Sequence, residues 1–303
     1  MKKTVFVSSL ILAFSMLTST CVMAASSKQE LSLNINGHKE DGQKPIVINN
    51  ITLVPIRTVS LLPDVKVDWN KKTKSVTVTE NGSGNTLKLT TGSKIAYVNG
   101  NQVSLGAVPT VKNGAVYVPF RFIGESLKAN VFWDTGTKTV VIYKTNQSLL
   151  NGLASTTLEK SRNAAIHLPR ISLHEDVTPT QEGGAGGMYY FSYGKTNQFI
   201  YAYRGMAQYF EVKDGAAWNF WEGQVTETTN EKGIIPFVLE LNGKEYGKRP
   251  SLSGKINFFM DYWKAEQVVY GTFDEKGNVI FQDTKTRLTE DPNIIQAIPG
   301  EQN

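Results

Sequence analysis

The sequence predicts an α+β protein: two repeated strand–helix–hairpin stalk units followed by a mainly antiparallel β domain. Three observations carry this expectation. Residues 46–78 fall on 110–142 without a gap when shifted by 64, and ten of the 33 positions are identical. Short β-prone runs alternate with Gly- and Asn-containing turns along most of the chain. Residues 147–303 hold 21 of the 31 aromatic side chains, a shift in composition that marks a second domain.

Composition bounds the answer. The 303 residues are 40% hydrophobic and 19% charged, the profile of a folded chain rather than a disordered or collagen-like one. Their number suits two domains. Residues 1–24 read as a secretory signal peptide: Lys2 and Lys3, an apolar run from Val5 to Leu17, then the small-residue step Val22-Met23-Ala24. That run is shorter than the ~20 residues a membrane helix needs, although an uncleaved anchor is the alternative reading. The expected location is therefore outside the cell, in contact with the wall, with no stable membrane span after signal cleavage. Cys21 is the single cysteine and would leave with the signal. Disulfides, thiol catalysis and cysteine-based zinc sites are then excluded.

Charge is uneven. Residues 25–146 hold 15 Lys and Arg against 8 Asp and Glu, whereas residues 147–303 hold 15 against 19. A basic exported half suits contact with an anionic cell-wall polymer or polysaccharide, or serves simply as a solvated surface. Nucleic acid is not an expected partner, because the aromatic-rich half is the acidic one.

Each repeat reads as the same unit within a stalk region at 25–146. A strand runs into Val54-Pro55, or Val118-Pro119, where proline suits a first helical turn because that position lacks an N–H partner anyway. In the second copy Phe120, Ile123, Gly124 and Leu127 mark one face of a short helix. A hairpin comes next, Val131–Trp133 with Lys138–Ile142, matched in the first copy by Val65–Trp69 with Lys74–Thr79. Strand signals also sit at Leu31–Gly37, Leu87–Leu89 and Ile95–Gly100. The recurring Pro55, Arg57, Trp69, Pro119, Arg121 and Trp133 are expected to anchor the fold, tryptophan filling core and arginine packing its stem.

These anchors, with Leu53-Val54-Pro55-Ile56-Arg57, Val67-Asp68-Trp69-Asn70 and their counterparts Tyr117–Glu125 and Val131–Asp134, resemble the copper amine oxidase N-terminal-like, or stalk, domain over about residues 31–143. The first copy departs from the family pattern at Leu61-Leu62-Pro63-Asp64, which shortens the helix. The resemblance implies an accessory module of secreted proteins, chiefly of Gram-positive bacteria. It does not imply amine oxidation, which needs three histidine ligands and an Asn-Tyr cofactor motif in another domain. No Asn-Tyr occurs, and His38, His167 and His174 are scattered. No cofactor or metal is expected.

Residues 147–168 read as a helical connector ending near Pro169, and residues 169–303 as an aromatic-rich β domain of no recognised family. Its clearest strands are Met188–Tyr193, Gln198–Tyr203, Val268–Phe273 and Val279–Phe281. The run Gly183–Gly187 lacks a following Lys-Ser/Thr and reads as a loop. His167 and His174 with Glu175 and Asp176 lack metal-ligand spacing and read as a polar linker. The remaining candidates are Trp218, Trp221 and Trp263 as sugar-gripping faces, with Glu222 and Asp261 as acid or base.

The expected function is a non-catalytic envelope protein whose basic stalk displays a ligand- or partner-binding β domain. A secreted hydrolase of wall or polysaccharide substrate, with its activity in the C-terminal domain, is the first alternative, and a purely structural surface protein the second.

Overall fold

The computed structural model describes residues 30–180, 186–226, 240–262, 266–286 and 293–301. The expected signal peptide, residues 183–185 and Trp263 lie outside the described residues. Strand occupies 49% and helix 12% of the described residues. Three α-helices and one 3-10 helix, each of nine residues or fewer, accompany the strands among the described residues. The α+β expectation is therefore overturned: the chain is mostly β, and no helical layer covers each sheet of a repeated stalk unit.

The reason lies after the two Val-Pro steps. Pro55 leads only into a 3-10 turn, Ile56–Leu61, which the backbone leaves at Leu62 ahead of Pro63. Pro119 leads into the seven-residue helix Phe120–Ser126, which ends where Lys128 turns left-handed (φ 52°). Gly124 sits inside this helix because a Cβ there would come within 1.9 Å of Val131 Cγ2. Each segment thus supplies one or two turns rather than a layer. The strands themselves do the covering.

Three sheets share one core. Ser32–Ile35 runs parallel to Thr139–Tyr143, flanked by Asn130–Asp134 and His38–Lys39. Ile51–Pro55 pairs antiparallel with Ala115–Pro119, setting Val54 opposite Val118. The third sheet is a five-stranded meander from Val65–Asn70 to Asn101–Ser104. Leu33, Ile35, Val54, Val76, Leu87, Val118 and Val140 from all three sheets, with Ile123 from the helix, form one buried cluster. Tight turns make this possible. Asn36-Gly37, Asn99-Gly100 and Asn113-Gly114 all have both φ values positive, the two-residue turn that matches strand twist.

The rest of the described chain builds a single nine-stranded sheet. Its order places Arg170–Ser172 beside Ala216–Thr226, followed by Met206–Lys213, Gln198–Tyr203, Met188–Ser192, Ile256–Tyr262, Gln267–Phe273 and Val279–Thr286. Glu240–Gly247 pairs with residues 221–226 of Ala216–Thr226, on the same edge that Arg170–Ser172 occupies at 217–219. One face carries Met188, Tyr190, Trp221, Phe258 and Phe273. Residues from near both ends of the sheet meet in that cluster, so the sheet is curled around it. The other face carries Phe191, Phe199, Phe210 and Phe259, and is covered by Ala165, Ile166, Ile294 and Ile295.

The segment expected to be a connector is part of this core. It forms two helices, Gln147–Leu153 and Leu158–Ile166, and residues 161–166 are buried. Arg162 and Glu301 form an ion pair there at 2.6 Å, with side chains 1% and 2% exposed. Glu301 also accepts hydrogen bonds from Asn257 and the Gly194 amide. The pair therefore ties the last described residues to the helix and the sheet. No helix among the described residues is long and apolar enough to cross a membrane.

Candidate functional site

Three of the candidates, Trp218, Trp221 and Glu222, share one strand, Ala216–Thr226, and a bulge in that strand decides where they point. Phe210 pairs with Asn219 and Tyr209 with Trp221, so Phe220 is the extra residue. Phe220 stands out at 47% exposure, and Trp221 turns onto the curled face, fully buried. The bulge also brings Asn219 and Glu222 to the same face, although three positions separate them.

Glu222 is fully buried. Its Oε2 accepts from Gln208 Nε2 at 2.9 Å and from Asn219 Nδ2 at 2.7 Å. Its Oε1 accepts from the Val177 amide. Three donors satisfy the buried carboxylate and pin residues 172–177 against the sheet. Asp261 lies on the Ile256–Tyr262 strand, with three strands between it and the strand of Glu222. Four strand spacings, about 19 Å measured along the curled sheet, separate the strands of the two carboxylates. A glycosidic bond is cleaved by carboxylates about 5–10 Å apart. The two candidates are not brought together.

Trp218 and Trp221 do not form a sugar platform either. Trp221 donates its indole N–H to Glu245 Oε2 at 2.9 Å. That bond, with Arg249 beside it, holds the Glu245 carboxyl below its usual range. Trp218 is half-buried, edge-on to Phe132 and to Tyr143 at 5.8 Å in each case. It serves as the contact between the two halves of the chain. Trp263 lies outside the described residues.

The repeat anchors divide. Pro55 and Pro119 start the short helical segments as expected. Trp133 packs partly against the N-terminal core, whereas Trp69, expected to fill core, is 44% exposed at the tip of its hairpin. Arg57 and Arg121 are exposed. Neither has an ion pair among the described residues. Pro119, Arg121 and Trp133 line a groove of about 830 Å³ with Phe120 and Phe122.

The most constructed polar region lies where the halves meet. The Asn36-Gly37 turn rests on the backbone of Arg170, so a Cβ on Gly37 would come within 2.6 Å of the Arg170 carbonyl oxygen. Lys39 Nζ reaches across to the His174 carbonyl at 2.8 Å and to Asp176 Oδ1 at 2.7 Å. Thr145 donates to the Gly215 carbonyl on the opposite side. Val141 and Tyr143 pack on Ile171 and Ala216 between these bonds. Burial, and then the nearby Asp214 charge, push the Tyr143 hydroxyl up to about 12.

At the junction, Arg170 lies over the rings of Tyr201 at 4.8 Å, Phe210 at 5.3 Å and Tyr189 at 5.8 Å. Burial, ahead of its charged neighbours, pushes the Tyr201 hydroxyl up to about 12. Sequence reasoning missed Arg170, Lys39, Gln208 and Asn219, because what unites them is a junction between segments more than 130 residues apart. His38 lies at this junction, His167 lies nearby, and His174 stacks on Tyr246 at 6.0 Å. Among the described residues no three His, Cys, Asp or Glu side chains group to hold a metal ion.

A protein named "Protease inhibitor" from Brevibacillus choshinensis is 30% identical over 167 residues, 54% of this chain and 51% of that relative. The chain thus spans about half the relative's length. The match is longer than the stretch from 34 to 142, so it reaches beyond that stretch. No family model matches the C-terminal region. The family model of the copper amine oxidase N-terminal domain matches residues 34–142, which take in the three sheets that share the N-terminal core. The resemblance read from the sequence over about residues 31–143 is thus matched by a family model over residues 34–142.

Proposed function

We propose that this is a secreted cell-envelope protein that works by binding rather than by chemistry. Its basic N-terminal domain contacts anionic wall polymer, and its C-terminal β domain engages a ligand or partner. The observation that carries this reading is Glu222: the carboxylate candidate on the tryptophan-bearing strand is buried and held by three donors. A general acid or base has to reach substrate. The charge of the N-terminal half supports the wall contact, with Lys71, Lys72, Lys74 and Lys88 all exposed on its five-stranded sheet and the hairpin turn there. Retention of the purified chain on isolated cell walls tests this arm. Retention that weakens with salt, and falls when those four lysines become glutamates, supports it. Equal retention by both proteins refutes it.

A second reading names the partner. The relative described as a protease inhibitor favours a protease as the protein that this chain engages. Titrating serine, cysteine and metalloproteases with the full chain tests this. Stoichiometric loss of activity in one class supports the reading, and unchanged activity in all three removes it.

A further inference from the structure

The junction holds a cationic group with open hydrogen-bonding capacity. Arg170 Nη2 donates to the Ile166 carbonyl at 3.3 Å and to the Tyr189 hydroxyl at 3.0 Å. Its Nε and Nη1 have no hydrogen bond among the described residues, yet neither atom is sealed from solvent. No carboxylate among the described residues lies within ion-pair distance of it. Three aromatic rings fix the guanidinium in place, so it does not swing out to solvent.

Two cavities open at this arginine. One, of about 310 Å³, is lined by His38, Lys39, Arg170, Gln208 and Asn219 among others. The other, of about 380 Å³, shares Gly37, His38 and Arg170, and adds the apolar side chains Pro63, Leu149, Ile166, Leu168 and Pro169. Each is at the lower end of the volumes that hold small molecules, about 300–1,000 Å³. In the first cavity Asp176 pairs with Lys39, and Gln208 and Asn219 donate to the buried Glu222 carboxylate behind them, so Arg170 is the cation there without an ion-pair partner.

We propose that the junction binds a small organic carboxylate, with Arg170 Nε and Nη1 donating to the carboxylate and the adjoining apolar walls taking its hydrocarbon body. One unpaired guanidinium matches a monoanion, whereas a dianionic phosphate close to the buried Glu222 carboxylate would leave surplus negative charge in a half-buried site. Because both halves line the cavities, a bound carboxylate also clamps the junction.

Titration of the full chain with hexanoate, followed by amide chemical shifts, tests the site, with hexanol as the uncharged control. Saturable shifts at residues 36–39 and 168–172 are expected with hexanoate, and binding at least tenfold weaker with hexanol. Arg170→Gln should weaken hexanoate at least tenfold. Because Arg170 also packs on three rings, a second variant is needed. His38→Trp changes an exposed position shared by both cavities and fills their mouth, so it should abolish saturable binding while leaving the melting temperature within a few degrees of the parent. Absence of saturable hexanoate shifts, equal binding of hexanol, or parental affinity in folded His38→Trp would each overturn the proposal.

Discussion

Glu222 illustrates how a residue that looks chemical becomes structural. Its neighbours Trp218, Asn219 and Trp221 suggested a sugar site, since aromatic faces beside carboxylates grip sugar rings. What the residue string did not reveal was the bulge at Phe220, which depends on the register with Met206–Lys213. Without it Asn219 would face away from Glu222; with it they bond at 2.7 Å. Glu222→Gln replaces one accepting oxygen by an NH₂ that faces donors, and should cost about 2–3 kcal/mol of stability. The urea midpoint of purified Glu222→Gln measures this, and an unchanged midpoint would remove the anchoring role. The tyrosines make a second residue-scale prediction. Burial raises Tyr143 and Tyr201 from 10.0 to about 12, so the folded chain keeps protons that the unfolded chain releases above pH 10. Stability is therefore fully present below pH 10 and declines as pH rises toward 12. Urea midpoints at pH 8, 10 and 11 should show that fall, with a smaller fall in Tyr143→Phe.

Among elements, hairpins were the most legible. The expected Val65–Trp69 and Lys74–Thr79 hairpin is Val65–Asn70 with Ser75–Glu80, and the expected Gln198–Tyr203 strand has those same bounds. Runs of β-prone residues bounded by short polar turns carry that information locally, the turns being Lys71–Lys74 in the first case and Arg204-Gly205 in the second. Helices were less legible. The Val-Pro step correctly marks where helical backbone begins, but the length of that backbone is set by residues further along: Pro63 in one case, the close approach of Val131 in the other. The helices at 147–166 read as a connector because their periodicity is loose, yet Ala165 and Ile166 cover the aromatic sheet face. Gly37 offers a test at this scale. It combines φ +90° with a 2.6 Å approach to the Arg170 carbonyl, so Gly37→Ala should cost about 2–3 kcal/mol. Gly100→Ala has the same turn geometry but nothing within 4 Å, and should cost less. Thermal melts of the two variants distinguish junction packing from turn strain alone.

At the scale of the molecule, the two halves are not beads on a string. Trp218 lies edge-on to Phe132 and Tyr143, Lys39 reaches Asp176, and Thr145 bonds Gly215. Composition revealed two parts, since charge and aromatic content change near residue 147. It could not reveal the junction, whose partners are far apart in sequence and individually ordinary. Trp218→Ala removes two aromatic contacts and buried area, worth about 2–3 kcal/mol together. Limited proteolysis should then cut faster near residues 144–146 and 214–215 than elsewhere, and uniform cleavage rates would show that Trp218 does not hold the halves. The central claim is that the chain binds without cleaving. Its most direct test is to incubate the purified protein with isolated cell-wall polysaccharide, measuring retention and released reducing ends in the same tube. Retention without release is the predicted result. Release of sugar that Glu222→Gln or Asp261→Asn abolishes would contradict it.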